Sequence, residues 1–272
     1  MRDFAATPIE MAASLWRNRG LIIASTKREV LVRYRGSALG LLWSFFNPLF
    51  MLLVFTFVFS VIFQARWGGG SGSKTEFALL LFAGLLVFNL FAEGINKAPS
   101  LIVGNVNYVK KVVFPLEILP VVALLSGVFH TFISLGVWLI AYMIFFGTPQ
   151  PTVWLLPLVL LPFCLFMAGL CWALASLGVF LRDVSQFIGL LTSALLFLSP
   201  IFYPASSFPQ DYRYLLYINP LTTVVEQARD VLFWGEIPDF FSLGVYWILT
   251  LGIAWLGFAW FQKTRKGFAD VL

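Results

Sequence analysis

Long apolar runs separated by short polar segments dominate the chain from residue 38 onward. Six runs are long enough to supply the ~20 apolar residues that a helix needs to cross ~30 Å of hydrocarbon. They lack the alternation of a membrane β-strand, and a helix satisfies its own backbone hydrogen bonds in lipid. The pattern predicts an all-α polytopic membrane protein. Its six spans are residues 38–63, 77–98, 116–146, 153–180, 184–203 and 241–262.

Residues 1–36 are more polar. The first long apolar run begins only near Ala38, which is too late for a secretory signal peptide. Thr7-Pro8-Ile9-Glu10 has the form of a capping box, which predicts a helix that ends at Gly20. A second box, Thr26 to Glu29, predicts a restart toward the membrane. Apolar side chains on one side of the first helix favour a helix lying along the membrane surface. The chain is thus predicted as one domain of interface helices (1–36), bundle (38–262) and tail (263–272).

Basic residues orient the predicted bundle, although only 11% of the chain is charged. Most of the lysines and arginines lie before span one, between spans two and three, between four and five, or after six. Those on the other side are Arg66, Lys74, Arg213 and Arg229. By the positive-inside rule, both termini are predicted to be cytoplasmic, in a bacterial inner membrane.

Residues 200–234 interrupt the apolar pattern. Asn219-Pro220 has the form of a helix cap with a first-turn proline, which predicts a helix over 221–234. Its charges would cost about 2.5–3.5 kcal/mol each at mid-bilayer. We therefore predict a re-entrant or interfacial element on the outer side, as a candidate gate. The charged residues are Glu226, Arg229 and Asp230.

Few residues in the spans could carry chemistry. His130 lies near the middle of span three, where an ionisable group indicates either function or a hydrogen bond to a neighbouring helix. No acidic residue is expected at its depth to complete a proton relay. Glu93 and Lys97 are one turn apart and predict an i,i+4 pair. Cys164 and Cys171, seven residues apart in one helix, are predicted to stay unpaired.

The source of energy for any transport follows by elimination. Residues 68–75 resemble a phosphate-binding loop but lack its second glycine and a preceding strand. The chain is therefore either passive or driven by a partner. Residues 99–115 favour a partner, since a short helix there would present a knob to a soluble domain; a solvated loop is the alternative. The candidate coupling residues are Tyr108, Lys110 and Lys111.

Five motifs resemble those of type-2 ABC transporter permeases that export polysaccharides. They follow the family's order over nearly the whole chain, but Leu116 stands where family loops often place a basic residue. The motifs are Arg33–Trp43 with Asn47-Pro48-Leu49, Lys110–Pro120, Arg182–Gln186, Ser199–Pro204 and Asn219–Thr222. The high aromatic content, 18% of residues, also suits a path along sugar rings.

The resemblance implies a homodimer of six-helix subunits with two copies of a separate nucleotide-binding ATPase. ATP and magnesium would bind that ATPase; this chain would hold no cofactor, metal, nucleic acid or catalytic residue. The substrate would be a lipid-linked polysaccharide, with O-antigen preferred and capsule polysaccharide or teichoic acid as the alternatives. The N-terminal helix and the 99–115 loop would touch the ATPase, within a shell of membrane lipids.

The same resemblance, together with charge and position, assigns two further sites. Arg33 and Arg35 are expected near the anionic head group of the lipid-linked substrate. The outer gate would comprise Pro200, Phe202, Tyr203, Pro204, Glu226 and Arg229.

Three alternatives stay open at this point. One is a small-molecule exporter of the same superfamily. The second is a membrane glycosyl- or acyltransferase, which would need an acidic metal-binding pair or a catalytic histidine at the membrane surface. The third is a proton-coupled carrier built around His130.

Overall fold

The computed structural model describes residues 5–62, 67, 73–110 and 114–272, and these form helices joined by short turns. No strand occurs among the described residues. Within the same residues, five helical segments are long and apolar enough to cross a membrane. The chain is therefore a polytopic helical membrane protein, as the apolar runs predicted.

Two helices precede the first span: α1 (Pro8–Arg17) and α2 (Arg19–Arg33). The predicted cap of α1 is confirmed, because the Thr7 hydroxyl accepts a hydrogen bond from the Glu10 amide (3.1 Å). The predicted break at Gly20 and restart at Thr26 are wrong. The chain bends at Asn18 instead, and Thr26 lies in the interior of α2, where packing against a neighbouring helix overrides the local capping signal.

Ten further α-helices follow within the described ranges. They are α3 (Trp43–Phe55), α4 (Lys74–Lys97), α5 (Val106–Lys110), α6 (Ile118–Phe146), α7 (Leu156–Phe180), α8 (Val184–Leu198), α9 (Arg213–Ile218), α10 (Pro220–Arg229), α11 (Phe240–Thr264) and α12 (Phe268–Val271). π-Helical turns extend α3 over Thr56–Ile62 and α10 over Asp230–Trp234. The segments of spanning length are Gly40–Phe59, Lys74–Ser100, Ile118–Phe146, Pro151–Phe180 and Phe240–Val271.

The fifth predicted span is the one that falls short. Helix α8 has 15 residues and is about 22 Å long, less than the ~30 Å of a hydrocarbon core. It ends at Ser199, whose extended backbone (ψ 151°) is the conformation favoured before Pro200. A sixth crossing therefore stays a prediction.

Helix α4 forms the centre of the fold. Every residue from Phe77 to Phe88 is buried, which is the pattern of a helix surrounded by protein. Helices α6, α7, α8 and α10 contact it. In the most apolar part of Lys74–Ser100, 83% of the residues are buried. In the most apolar part of Gly40–Phe59, only 11% are buried. Span one therefore lies at the edge of the subunit.

Helices α7 and α11 cross in close contact at two glycines. A β-carbon on Gly257 would lie 2.1 Å from the Gly169 carbonyl oxygen, and one on Gly169 would lie 2.5 Å from the Ile253 carbonyl oxygen. Any larger residue would push the backbones apart. This is the small-residue packing by which membrane helices associate.

Candidate functional site

Arg229, at the end of α10, is almost completely enclosed, with 2% of its surface exposed. Its guanidinium donates hydrogen bonds to the Leu80 carbonyl in α4 (2.9 Å) and to the Glu226 carboxylate (2.8 Å). It also donates to the carbonyls of Pro200 (2.5 Å) and Ile201 (2.8 Å), just after α8. One side chain therefore fastens α10 and the turn after α8 to the central helix.

The space around Arg229 is filled on its other sides. The Trp67 ring stacks on the guanidinium at 4.4 Å, a cation–π contact. Gly84 of α4 permits the approach, since a β-carbon there would lie 2.7 Å from the Arg229 Nη2. Burial, with the carboxylates of Glu236 and Glu226 nearby, raises the pKa of Asp230 to about 6. We call Arg229 and these contacts the outer cluster, after the side of the membrane that the sequence predicts for it.

The predicted gate residues lie in or beside this cluster. Pro200, Glu226 and Arg229 are joined directly by hydrogen bonds. Phe202 stacks between Phe59 (5.1 Å) and Phe197 (5.7 Å). The remaining two follow in the chain: the Tyr203 hydroxyl donates to the Phe197 carbonyl (3.2 Å), and Pro204 begins the next turn. The structure brings these residues together; their role as a gate stays a prediction.

The helix after Asn219 forms as predicted. The Asn219 side chain accepts a hydrogen bond from the Leu221 amide (3.0 Å), and Pro220 is the first residue of α10. Asn219 also donates to the Ser199 hydroxyl (2.9 Å), which ties the cap to the end of α8. The π-turn ends at Gly235, whose positive φ (73°) favours glycine.

A second charged cluster joins the end of α2 to α4 and α6. The Glu93 carboxylate lies 3.0 Å from His130 Nδ1 and forms an ion pair with Arg33. The Tyr34 hydroxyl lies 3.1 Å from His130 Nε2. With a proton on Nδ1 directed at the carboxylate, Nε2 accepts from the hydroxyl. We call these four residues the inner cluster.

The inner cluster corrects two expectations. An acidic residue does lie at the depth of His130, because α4 places Glu93 beside α6. The expected hydrogen bond of His130 to a neighbouring helix is confirmed. The predicted Glu93–Lys97 pair is wrong, since Lys97 forms its ion pair with Glu29 of α2. Helix α2 packs along the bundle. Its Glu29 replaces Glu93 as the ion-pair partner of Lys97.

Arg33 and Arg35 have different partners, and their expected contact with a lipid head group stays a prediction. Arg33 pairs with Glu93, whereas Arg35 lines a shallow groove of 390 Å³ with Lys27 and Arg28 of α2. The two arginines therefore meet different surroundings, which their spacing of two residues did not reveal.

The loop before α6 contains the predicted short helix, α5. Tyr108 is half-buried in it: its ring stacks on Phe114 at 4.3 Å, and its hydroxyl accepts a hydrogen bond from Arg28 (3.4 Å). Lys110 is exposed at the end of α5, and Lys111 lies outside the described residues. Of the three candidate coupling residues, Lys110 is the one that faces outward in the described part.

Glu117 was not singled out from the sequence, yet it joins both ends of the chain. Its carboxylate accepts a hydrogen bond from the buried Ser14 hydroxyl (2.8 Å) and pairs with Arg265 (2.6 Å). Its backbone carbonyl accepts the Trp172 indole N–H (2.8 Å). The sequence signal that could have identified Glu117 is a lone carboxylate at the start of an apolar run. Helix α1 and the end of α11 thereby meet at one end of the bundle.

Ligands for a metal ion are not grouped in the described part of the chain, where no three His, Cys, Asp or Glu side chains lie close enough together. Cys164 and Cys171 are unpaired, as predicted. The charged groups of the two clusters hold helices to one another.

These features define a helical membrane protein with two clusters of interhelical charge. Residues 20–233 match the family model described as ABC-2 type transporter, and the chain belongs to that family of transporter membrane subunits. The chain is similar to the O-antigen export system permease protein RfbA of Myxococcus xanthus, with 27% identity over 264 residues, 96% of this chain and 99% of the relative.

Two further relatives agree with this assignment. RfbA of Klebsiella pneumoniae is 24% identical over 254 residues, 93% of this chain and 95% of the relative. The polysialic acid transport protein KpsM of Escherichia coli is 27% identical over 242 residues, 88% of this chain and 91% of the relative.

Proposed function

We propose that this chain is the permease subunit of an ATP-driven exporter of polysaccharide, and that its substrate is a lipid-linked glycan of the O-antigen kind. The similarity to O-antigen export permeases over 96% of this chain carries the proposal. The weaker similarity to a polysialic acid transport protein supports the broader substrate class. Capsule polysaccharide and teichoic acid are the alternative substrates within it.

Energy is proposed to come from two copies of a separate ATPase, which binds ATP and magnesium. Family membership supports such a partner. Lys110 on α5 and the N-terminal helices lie at the end of the bundle where Glu117 joins the two ends of the chain. A soluble partner bound there would contact the ends of several helices at once.

A homodimer is proposed to enclose the glycan path. Span one and α8 lie at the edge of the subunit and expose aromatic side chains. Flat rings of this kind can lie against the C–H faces of sugars with little loss of side-chain entropy. A second copy covering these faces would give a path lined by aromatic rings. The exposed rings are Trp43, Phe45, Phe46, Phe50, Phe57, Phe187 and Phe197.

The proposed topology has six crossings in a bacterial inner membrane, with both termini cytoplasmic. The meeting of α1 and Arg265 at Glu117 supports an even number of crossings, since it places both ends of the chain at one end of the bundle. Helix α8 with residues 199–203 would be the short fifth crossing. Helices α9 and α10 would re-enter from the outside, and α1 would lie along the inner surface.

The test is co-expression with the ATPase encoded beside this chain, followed by purification and an assay of ATP hydrolysis with and without lipid-linked glycan. We expect a stable complex whose turnover rises with the glycan. A chain that purifies alone and associates with no ATPase would contradict the proposal.

Charge reversal at the coupling loop sharpens this test. Lys110→Glu is expected to weaken ATPase binding, because Lys110 is exposed on α5. Lys74→Glu is the control, since Lys74 is exposed at the start of α4, at the opposite end of that helix from Lys97, which pairs with Glu29 of α2. Equal effects of the two variants would place the coupling surface elsewhere.

A further inference from the structure

An apolar groove with a volume of 520 Å³ runs between α2 and α6. Its lining includes Leu41, at the start of span one, and no residue of the outer cluster or of α8. Its walls include Ile23, Val30 and Leu31 on one side and Leu125, Val128 and Phe132 on the other. Its shape and lining suit a hydrocarbon chain.

One polar atom in this groove lacks a partner. The Thr26 hydroxyl oxygen is buried, lines the groove and makes no hydrogen bond within the described residues. Buried polar groups are nearly always hydrogen-bonded, so this hydroxyl offers a free donor at the edge of the groove. A ligand that suits the groove is apolar along most of its length and carries a polar atom near Thr26.

The mouth of the groove is positively charged. Lys27 lines both this groove and the basic groove formed with Arg28 and Arg35. Neither Lys27 nor Arg35 pairs with a carboxylate in the part of the chain that the structure describes. The nearby carboxylates of Glu29 and Glu93 are taken by other cations. A negatively charged head group would complete this arrangement.

The length of α6 sets the level of the groove in the membrane. Its 29 residues extend about 43 Å, longer than the ~30 Å of hydrocarbon. If the outer boundary of the hydrocarbon lies at Phe146, the roughly 20 residues of α6 that cross it extend back to about residue 126. The groove contacts residues 125–132 of α6 and so crosses this boundary. With this boundary, the basic mouth is expected at the level of the lipid head groups.

We infer that this groove binds one anionic phospholipid of the adjacent leaflet, separate from the transported glycan. One acyl chain lies between α2 and α6, and Lys27 and Arg35 hold the phosphate. The Thr26 hydroxyl donates to an oxygen of the lipid backbone. The site thereby fastens α2 to the bundle through a lipid.

The experiment places the full chain in nanodiscs of phosphatidylcholine that contain a photoreactive phosphatidylglycerol with its reactive group on an acyl chain. Labelled peptides are mapped by mass spectrometry. We expect labels within residues 19–35 and 118–132. Lys27→Gln with Arg35→Gln should reduce labelling by about fivefold for each charge removed. Leu125→Trp should block it by filling the groove.

The matched control is Arg17→Gln with Arg19→Gln, which removes two charges from the same end of the chain outside the groove. It should leave labelling unchanged, and a thermal melt confirms that each variant is folded. Equal labelling by a photoreactive phosphatidylcholine would overturn the inference. Unchanged labelling in the Lys27/Arg35 variant would overturn it as well. If that variant lost ATPase binding while its labelling persisted, the basic surface would be assigned to a protein partner instead.

Discussion

The two charged clusters lie on the same central helix, and they are built in different ways. Leu80 and Glu93 are 13 residues apart on α4, which corresponds to about 20 Å. The arginine of the outer cluster is 2% exposed, and three of its four hydrogen-bond acceptors are backbone carbonyls. In the inner cluster, the Arg33 side chain is 51% exposed and its partners are ionisable side chains.

This difference indicates different tasks. Backbone carbonyls cannot change charge, so the outer cluster fixes the fold after α8 in one arrangement. The inner cluster joins α2 to the bundle next to a turn with two glycines of positive φ, Gly36 (83°) and Gly40 (51°). Its bonds can be exchanged for water or lipid head groups. We therefore expect the outer cluster to govern stability and the inner cluster to govern how α2 and span one are held.

The largest effect is expected from Arg229→Met. It removes the donor shared by the Glu226 carboxylate and three backbone carbonyls, and leaving the buried carbonyls of Pro200 and Ile201 without it costs about 1–3 kcal/mol each. Thermal unfolding in detergent measures it. Arg182→Met is the control, since Arg182 is exposed. If the two variants melted alike, the outer cluster would not stabilise the fold.

The next effect is expected from Gly84→Ala. Its β-carbon would lie 2.7 Å from Arg229 Nη2 and 3.5 Å from the Ile201 α-carbon, so the guanidinium must shift away from its carbonyl partners. Overpacking of this kind costs about 1–3 kcal/mol. Gly189→Ala is the matched control, a helical glycine with open space around it. A Gly84→Ala variant as stable as the control would show that the space around Arg229 is not tight.

The sequence predicted the features that depend on neighbours in the chain. Apolar runs predicted five spans to within a few residues, except that the last helical segment continues to Val271. The Thr7 and Asn219 caps formed because a cap needs only the next turn. Thr26 failed as a cap because packing of α2 on α6 decided its conformation. Pairing across helices was not accessible: Arg33 and Glu93 are 60 residues apart, and nothing in their local sequence links them.

The outer cluster shows the same limit. Arg229 was identified as costly in lipid, which is a property of one residue and its charge. Its partner Leu80 lies 149 residues away and contributes a backbone oxygen, which no side-chain pattern encodes. The sequence therefore identified the residue but not the contact that explains it.

A smaller effect is expected from Glu93→Gln, because Arg33 is half exposed and can turn to water. We expect a loss of about 1 kcal/mol, the upper range for partly exposed ion pairs. A double-mutant cycle with His130→Gln isolates the direct contact between Glu93 and His130, with a coupling of about 0.5–1 kcal/mol. Additive effects of the two substitutions would show that the contact contributes nothing to stability.

The same variants test the proton-coupled alternative, for which the Glu93–His130 pair is the favourable observation. In an exporter driven by a partner ATPase, His130→Gln should retain glycan export that depends on ATP and not on a proton gradient. Two results together would favour the carrier. Export would be lost in His130→Gln while ATP hydrolysis stays intact, and export by the parent protein would follow the proton gradient.

The smallest effect is expected from Tyr34→Phe. It removes one hydroxyl, which lies 3.1 Å from His130 Nε2, and leaves the ion pair of Arg33 with Glu93 in place. The expected loss of stability is about 0.5–1.5 kcal/mol, the net value of one hydrogen bond. It should lie toward the low end of this range because water can replace the hydroxyl. Hydrogen exchange at α2 should rise more than the melting temperature falls, since Tyr34 follows the last turn of that helix. Equal exchange in Tyr34→Phe and the parent protein would mean that the inner cluster holds α2 through Arg33 alone.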